Sequence, residues 1–310
     1  MRARTPRALG RAISIVEDGG DPARELMAAI ASATSGARVI GITGSPGVGK
    51  STTTSALIDF HRHAGRTVAV LACDPSSPFS GGALLGDRVR MQEHFLDTGV
   101  YIRSMSSRGH LGGLSASTPQ AARLLDAAGF DIIIIETVGV GQSEVEVAAA
   151  ADTTVVLLAP GMGDGIQAVK AGILEVGDIF VVNKADRDGA HETVRELRHA
   201  LSLAADVRAR PAEPDEWVPP ILLTVASTGQ GIPELAAAVD DHGAWLVGTE
   251  PGRQRRARRA QAELEAVLLA QLRARVGAFR NDPGFQQLAA EVGQGLRDAY
   301  SAAEVLVSRL

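Results

Sequence analysis

Hydrophobic and polar positions fall into two periods along the chain. Short apolar runs rich in β-branched residues recur at "RVIGITG", "TVAVLAC", "DIIIIET", "TTVVLLA", "IFVVN" and "ILLTV". Between them, apolar residues return every three or four positions, the period of a helix with one buried face. Runs without polar alternation belong to strands covered on both sheet faces. The pattern therefore predicts an α/β domain with a mostly parallel central sheet covered by helices. Ahead of the first run, residues 5–35 fit two short helices broken at Gly19 and Gly20, with Asp21 and Pro22 supplying the N-cap and first-turn signal of the second.

Past the last run, Pro251 and Gly252 precede a long helical pattern in which Leu264, Leu268, Leu269 and Leu272 fall nearly in phase. Its arginines are interrupted by glutamates, which fits a solvated face above an apolar one better than a nucleic-acid or membrane surface. A break at Asn281, Asp282 and Pro283 precedes a further helix. The expected organisation is an N-terminal helical extension over 1–35, a nucleotide-binding domain over 36–246 and a C-terminal helical arm over 247–310. That arm either caps the domain or joins two copies.

Composition narrows the function. The 310 residues suffice for a substantial core, and a 45% hydrophobic content with only 4% aromatic residues leaves Ala, Leu, Val and Ile to build it. A formal charge of −5 gives no general attraction to nucleic acid. Cys73 is the single cysteine, so neither an internal disulfide nor a paired-cysteine zinc site can form, and a reducing, cytoplasmic compartment is expected. No apolar run reaches membrane-spanning length and no signal-peptide segment opens the chain, so no membrane partner is expected.

Chemistry begins at "GSPGVGKST", where Gly44, Ser45, Pro46, Gly47, Val48, Gly49, Lys50, Ser51 and Thr52 complete a Gly-x4-Gly-Lys-Ser phosphate loop. Small residues let backbone N–H groups approach phosphate oxygens. Lys50 can reach the β- and γ-phosphates, and the Ser51 hydroxyl can ligate magnesium. The base is read elsewhere. "VVNKAD" sets Asn183, Lys184 and Asp186 after a strand, and an aspartate accepts from the guanine N1–H and exocyclic amine, a donor pair adenine lacks. Asn183 would support the loop, the Lys184 stem would cover the purine plane, and Ala226 with Ser227 would form the last base-binding loop. GTP and GDP, with Mg²⁺, are the expected ligands.

Three carboxylates are candidates around the metal: Asp74 and Glu136 at strand ends, and Asp87 after the glycine-rich "SGGALLG". Two of the three are expected near magnesium, with the coordination shells left open. In "ETVGVGQSE", Gly139 is placed to sense the γ-phosphate through its backbone N–H, and loss of that phosphate would release the loop. Gln142 is open between orienting water and contacting a neighbouring loop. His110 fits a solvent-exposed loop histidine, and Asp164 a helix cap.

Together, "GSPGVGKST", "DPSSPFSGGALLGDRVRM", "RGHLGGLS", "ETVGVGQSE", "PGMGDGIQAVKAGILE", "NKAD" and "TGQGIPEL" carry a resemblance in order along the nucleotide domain. The chain resembles the methylmalonyl-CoA mutase-associated GTPases, the MeaB and ArgK-like proteins related to the human methylmalonic aciduria type A protein. These lie in the signal-recognition and MinD-related branch of P-loop NTPases. The resemblance implies a GTPase chaperone of an adenosylcobalamin-dependent acyl-CoA mutase, methylmalonyl-CoA mutase foremost, gating cofactor delivery, protection or reactivation. It implies catalytic roles for Lys50, Asp87, Glu136 and Gly139, a metal site of Ser51, Asp74, Asp87 and Glu136, and a C-terminal arm that supports homodimerisation. Glu136 departs from the aspartate common in other GTPases but agrees with the ETVG pattern of this family.

Overall fold

The computed structural model describes residues 5–74, 92–94, 96–106, 117–137, 143–161, 172–207, 215–279 and 282–308. Its centre is a seven-stranded sheet: β1 (Arg38–Thr43), β2 (Val68–Asp74), β3 (Val100–Ser106), β4 (Ile132–Thr137), β5 (Thr153–Leu158), β6 (Ile179–Asn183) and β7 (Ile221–Thr224). All pair in parallel in the order β3-β2-β4-β1-β5-β6-β7. Strand β1 is thus central, and its C-terminal edge delivers the phosphate loop.

Strand β4 shows why the isoleucine run has no polar alternation. Ile133 and Ile135 pack on one sheet face with Leu9, Ile13, Leu124 and Leu125. Ile132 and Ile134 pack on the other with Leu57, Ile58, Leu235 and Val239. Successive side chains point to opposite faces, and both faces are roofed by helices. Burying each isoleucine removes enough apolar surface to contribute ~1.5–3 kcal/mol. A polar residue anywhere in that run would have to enter a core.

The first face is roofed by α1 (Pro6–Asp18), α2 (Gly20–Ile30), α4 (Thr118–Ala127) and α5 (Ser143–Ala150); the second by α3 (Lys50–His63) and α8 (Ile232–Gly248). Helix α7 (Ala190–Val207), with α6 (Gly172–Val176) beside it, covers a smaller cluster around Val156 and Phe180. Leu9, Ile13 and Val16 of α1 enter the main core, so the N-terminal helices are part of the domain's packing. The break between α1 and α2 is where the glycines predict it, with Gly19 at φ 72°. Helix α2 starts earlier than expected, at Gly20. Asp21 is therefore a first-turn residue instead of the N-cap.

The apolar runs did not point to β3. It is an edge strand in which half-buried Arg103 stands between buried Tyr101 and Met105 on one sheet face. Arg103 reaches Ser14 (3.0 Å) and Glu17 (2.8 Å) on α1. An edge strand tolerates such a residue because a neighbouring helix can satisfy it.

The chain forms two compact units, Met1–Ala257 and Arg258–Leu310, a division later than the expected 246/247 boundary. Helix α9 (Glu250–Phe279) runs through it. Thr249 ends α8 and accepts the Gly252 N–H at 3.2 Å, so Pro251 and Gly252 lie inside the first turn of α9, where a missing N–H costs nothing. Arg255 then pairs with the buried carboxylate of Asp178. That pair keeps the start of α9 with the first unit. The second unit holds the rest of α9, α10 (Pro283–Gly293) and α11 (Ala299–Val307). Asp282 caps α10 by accepting from Gly284 N (2.8 Å) and Phe285 N (3.3 Å).

Candidate functional site

The phosphate loop joins β1 to α3, with Lys50 as the first residue of the helix. Gly49 stands before it at φ 99°, and a side chain there would also run into the Asn183 amide. Glycine meets both demands at once. Lys50 is buried, and its Nζ donates to the carbonyls of Gly44 (2.7 Å) and Ser45 (3.1 Å). An ammonium held at the opening turn of a helix, where free N–H groups also point, forms an anion site of phosphate character.

Beside this loop sits Glu136. The register of β1 and β4 sets Ile42 opposite Glu136, so its carboxylate arrives at the same sheet edge as Thr43 and the loop. Glu136 is buried and accepts from Ser51 Oγ (2.6 Å) and Thr54 Oγ1 (2.7 Å). Ser51 and Thr54 lie three residues apart on one face of α3, so one carboxylate grips both. Thr54 escaped attention in the sequence, where it is one of three consecutive threonines. Its partner Glu136 lies 82 residues away. Thr137 extends the set with a hydroxyl bond to Thr43 (3.2 Å).

These oxygens suit a hard cation. A serine hydroxyl with a carboxylate behind it fits magnesium, which favours oxygen ligands and retains water. Asp74 ends β2 two strands from β1, beyond β4, and its backbone lies at the same sheet edge; its side chain is outside what is described. Asp87, Gly139, Gln142, His110 and Asp164 all lie outside the described residues.

The second half of the site follows β6. Asn183 is buried and donates from Nδ2 to the Val48 carbonyl at 2.9 Å. Its Oδ1 accepts from Ala226 N and Thr224 Oγ1, both at 3.1 Å. One side chain thereby ties the loop after β6 to the phosphate loop and to the loop after β7. Lys184 adopts φ 57°, and its Nζ donates to the Gly47 carbonyl at 2.6 Å, laying its stem alongside the phosphate loop. Asp186 and Ser227 are exposed and Ala226 is buried. A cleft of ≈ 470 Å³ is lined by Thr52 on α3 and by Ala226 and Ser227, so one residue of the phosphate-loop motif and two of the base-side candidates share a cavity.

Comparison with known proteins agrees with this architecture. Residues 9–280 match the family described as methylmalonyl Co-A mutase-associated GTPase MeaB. A putative GTPase of Pyrococcus abyssi is 43% identical over 310 residues, covering 100% of this chain and 94% of that protein. The mouse mitochondrial methylmalonic aciduria type A homolog is 41% identical over 196 residues, 63% of this chain and 46% of that protein. A crystal structure of a LAO/AO transport system kinase has a TM-score of 0.66 and 26% identity, covering 99% of this chain and 94% of that one. Among the described residues, no helix is long and apolar enough to cross a membrane. The parallel sheet with its phosphate loop at the end of the central strand is a P-loop NTPase fold. The chain belongs to the MeaB family of methylmalonyl Co-A mutase-associated GTPases.

Proposed function

We propose that this chain is a magnesium-dependent GTPase whose nucleotide cycle serves an adenosylcobalamin-dependent acyl-CoA mutase, methylmalonyl-CoA mutase foremost, by gating delivery, protection or reactivation of the cofactor. The observation that carries the nucleotide half is the Asn183 bridge, which joins the phosphate loop to the two loops that would read guanine. In this reading, Asp186 accepts from the guanine N1–H and amine, while Ala226 and Ser227 close the base site. Lys50 and the loop N–H groups hold the β- and γ-phosphates. Ser51 would ligate magnesium, with Glu136 orienting its hydroxyl and Asp74 and Asp87 completing the surroundings.

Phosphoryl transfer needs alignment and charge neutralisation more than covalent chemistry. Magnesium, when bound, would supply charge neutralisation on the phosphates. The chain's own part is to fix the phosphates through Lys50, to hold Ser51 in place through Glu136, and to report the γ-phosphate through the Gly139 backbone. A partner that organises the Asp74 to Met91 and Glu136 to Glu144 loops would then control turnover.

The mutase half rests on the family and on the mouse homolog, whose name links it to methylmalonic aciduria. A homodimer through the arm is supported by the exposed leucines of α9, and a reducing cytoplasmic setting by the single cysteine. Lys50→Ala tests the nucleotide half directly. GTP affinity and hydrolysis should both fall by at least tenfold, and wild-type values for both would refute the assignment.

A further inference from the structure

The cleft beside the phosphate loop has chemistry beyond phosphate and base. Thr52 lines it from α3, and Ala226 and Ser227 line it from the loop after β7. In a nucleoside phosphate the ribose joins the phosphates to the base, so a ligand held at both ends lays its sugar between them. Ser55 and Glu93 line the same cleft.

Glu93 arrives from the single turn Gln92–His94, and its side chain is 68% exposed. It is nevertheless fixed. Ser55 Oγ lies 2.8 Å from Glu93 Oε1 and 2.7 Å from Nε2 of the buried His94. A carboxylate only accepts and a hydroxyl carries one hydrogen, so Ser55 donates to Glu93 and His94 donates its Nε2–H to Ser55. Nδ1 of His94 is 3.9 Å from the Asp59 carboxylate, beyond hydrogen-bond reach, which agrees with that tautomer. A relay from imidazole through hydroxyl to carboxylate thus sets the Glu93 rotamer at the wall of the cleft.

Such a carboxylate has acceptor capacity left over. It offers about four lone-pair positions, and Ser55 makes its one hydrogen bond among the described residues. Its charge repels phosphate, so it faces a donor. The donors that a guanine nucleotide presents between its phosphates and its base are the vicinal ribose hydroxyls, spaced to meet the two oxygens of one carboxylate.

We propose that Glu93 accepts the 2′- and 3′-hydroxyls of the bound nucleotide and makes the chain selective for ribonucleotides. Ser55 and His94 act as positioning residues that hold the carboxylate. The inference rests on the guanine-nucleotide reading above and adds a sugar-reading residue to it.

The test is equilibrium binding of GDP and 2′,3′-dideoxy-GDP, by calorimetry, to the full chain and to its Glu93→Ala and Glu93→Gln variants. The wild-type chain should prefer GDP by about tenfold or more, the factor expected from a charge-assisted hydrogen bond. In Glu93→Ala the preference should vanish through weaker GDP binding, with dideoxy-GDP bound as by wild type, which also reports an intact fold. Glu93→Gln should fall between. A wild-type preference near one, or a preference that survives Glu93→Ala, overturns the role of Glu93 while GDP binding itself leaves the guanine site standing. Failure of the wild-type chain to bind GDP overturns both.

Discussion

Asn183 donates its side-chain amide to the Val48 carbonyl across 2.9 Å, and the same side chain accepts the Ala226 N–H. Three loops from distant parts of the sequence depend on one buried amide. Asn183→Ala would leave the Val48 carbonyl and the Ala226 and Thr224 donors short of a partner, at ~1–3 kcal/mol for each group left buried. A loss of ~2–4 kcal/mol in urea unfolding is expected. GTP and GDP affinities should fall by the same factor, because the bridge organises base and loop instead of the γ-phosphate. Calorimetric titration with both nucleotides checks this.

Thr54 holds the Glu136 oxygen that Ser51 does not. Thr54→Val keeps the shape and removes a hydrogen bond to a charged group, worth ~1.5–3 kcal/mol. The carboxylate should then be less well oriented behind Ser51. The Mg²⁺ concentration giving half-maximal turnover should rise several-fold, with nucleotide affinity in the absence of metal little changed.

Two buried histidines set the acid limit. Burial, followed by the nearby Arg66, pushes the pKa of His61 down to about 4. Burial, followed by Arg255 and Arg38, pushes that of His242 down to about 3. In the unfolded chain both titrate near 6.5, so below that pH the unfolded state binds protons the native state refuses. Their contribution is complete above pH ~6.5 and is lost as pH falls toward the native values. Each adds ~1.4 kcal/mol per pH unit to the slope. Denaturant unfolding between about pH 6 and 5 should show that slope reduced by ~1.4 kcal/mol per unit in His61→Gln.

The arm carries an apolar stripe. Leu264, Leu268, Leu269, Leu272 and Val276 of α9 are from 39% to 69% exposed. Leu264, Leu268, Leu272 and Val276 recur every four residues along one side of the helix with Leu269 beside them, a surface suited to a second copy. Leu268→Glu with Leu272→Glu should halve the mass seen by light scattering while leaving GTP affinity within about twofold. A monomeric wild-type chain would refute the homodimer.

Much of this fold could be read in advance because its signals are local. The isoleucine run of β4 can only be a strand covered twice, and the glycines at 44, 47 and 49 all take positive φ where the loop turns. The edge strand β3 stayed hidden because Arg103 interrupts its apolar pattern, and its partners Ser14 and Glu17 lie 89 and 86 residues away. Thr54 and Glu93 stayed hidden for the same reason. Their roles come from contacts across 82 and 38 residues, which no local spacing encodes. The motifs therefore indicated which loops to examine, and the packing of α3 against β4 and residues 92–94 indicated which side chains support them.

The most direct measurement is GTP hydrolysis by the full chain with Mg²⁺, with and without an adenosylcobalamin-dependent acyl-CoA mutase, using ATP as the base control. Magnesium-dependent turnover of GTP but not ATP, accelerated by methylmalonyl-CoA mutase, is the predicted result. Equal turnover of the two nucleotides, or GTP turnover indifferent to every such mutase, would contradict the account.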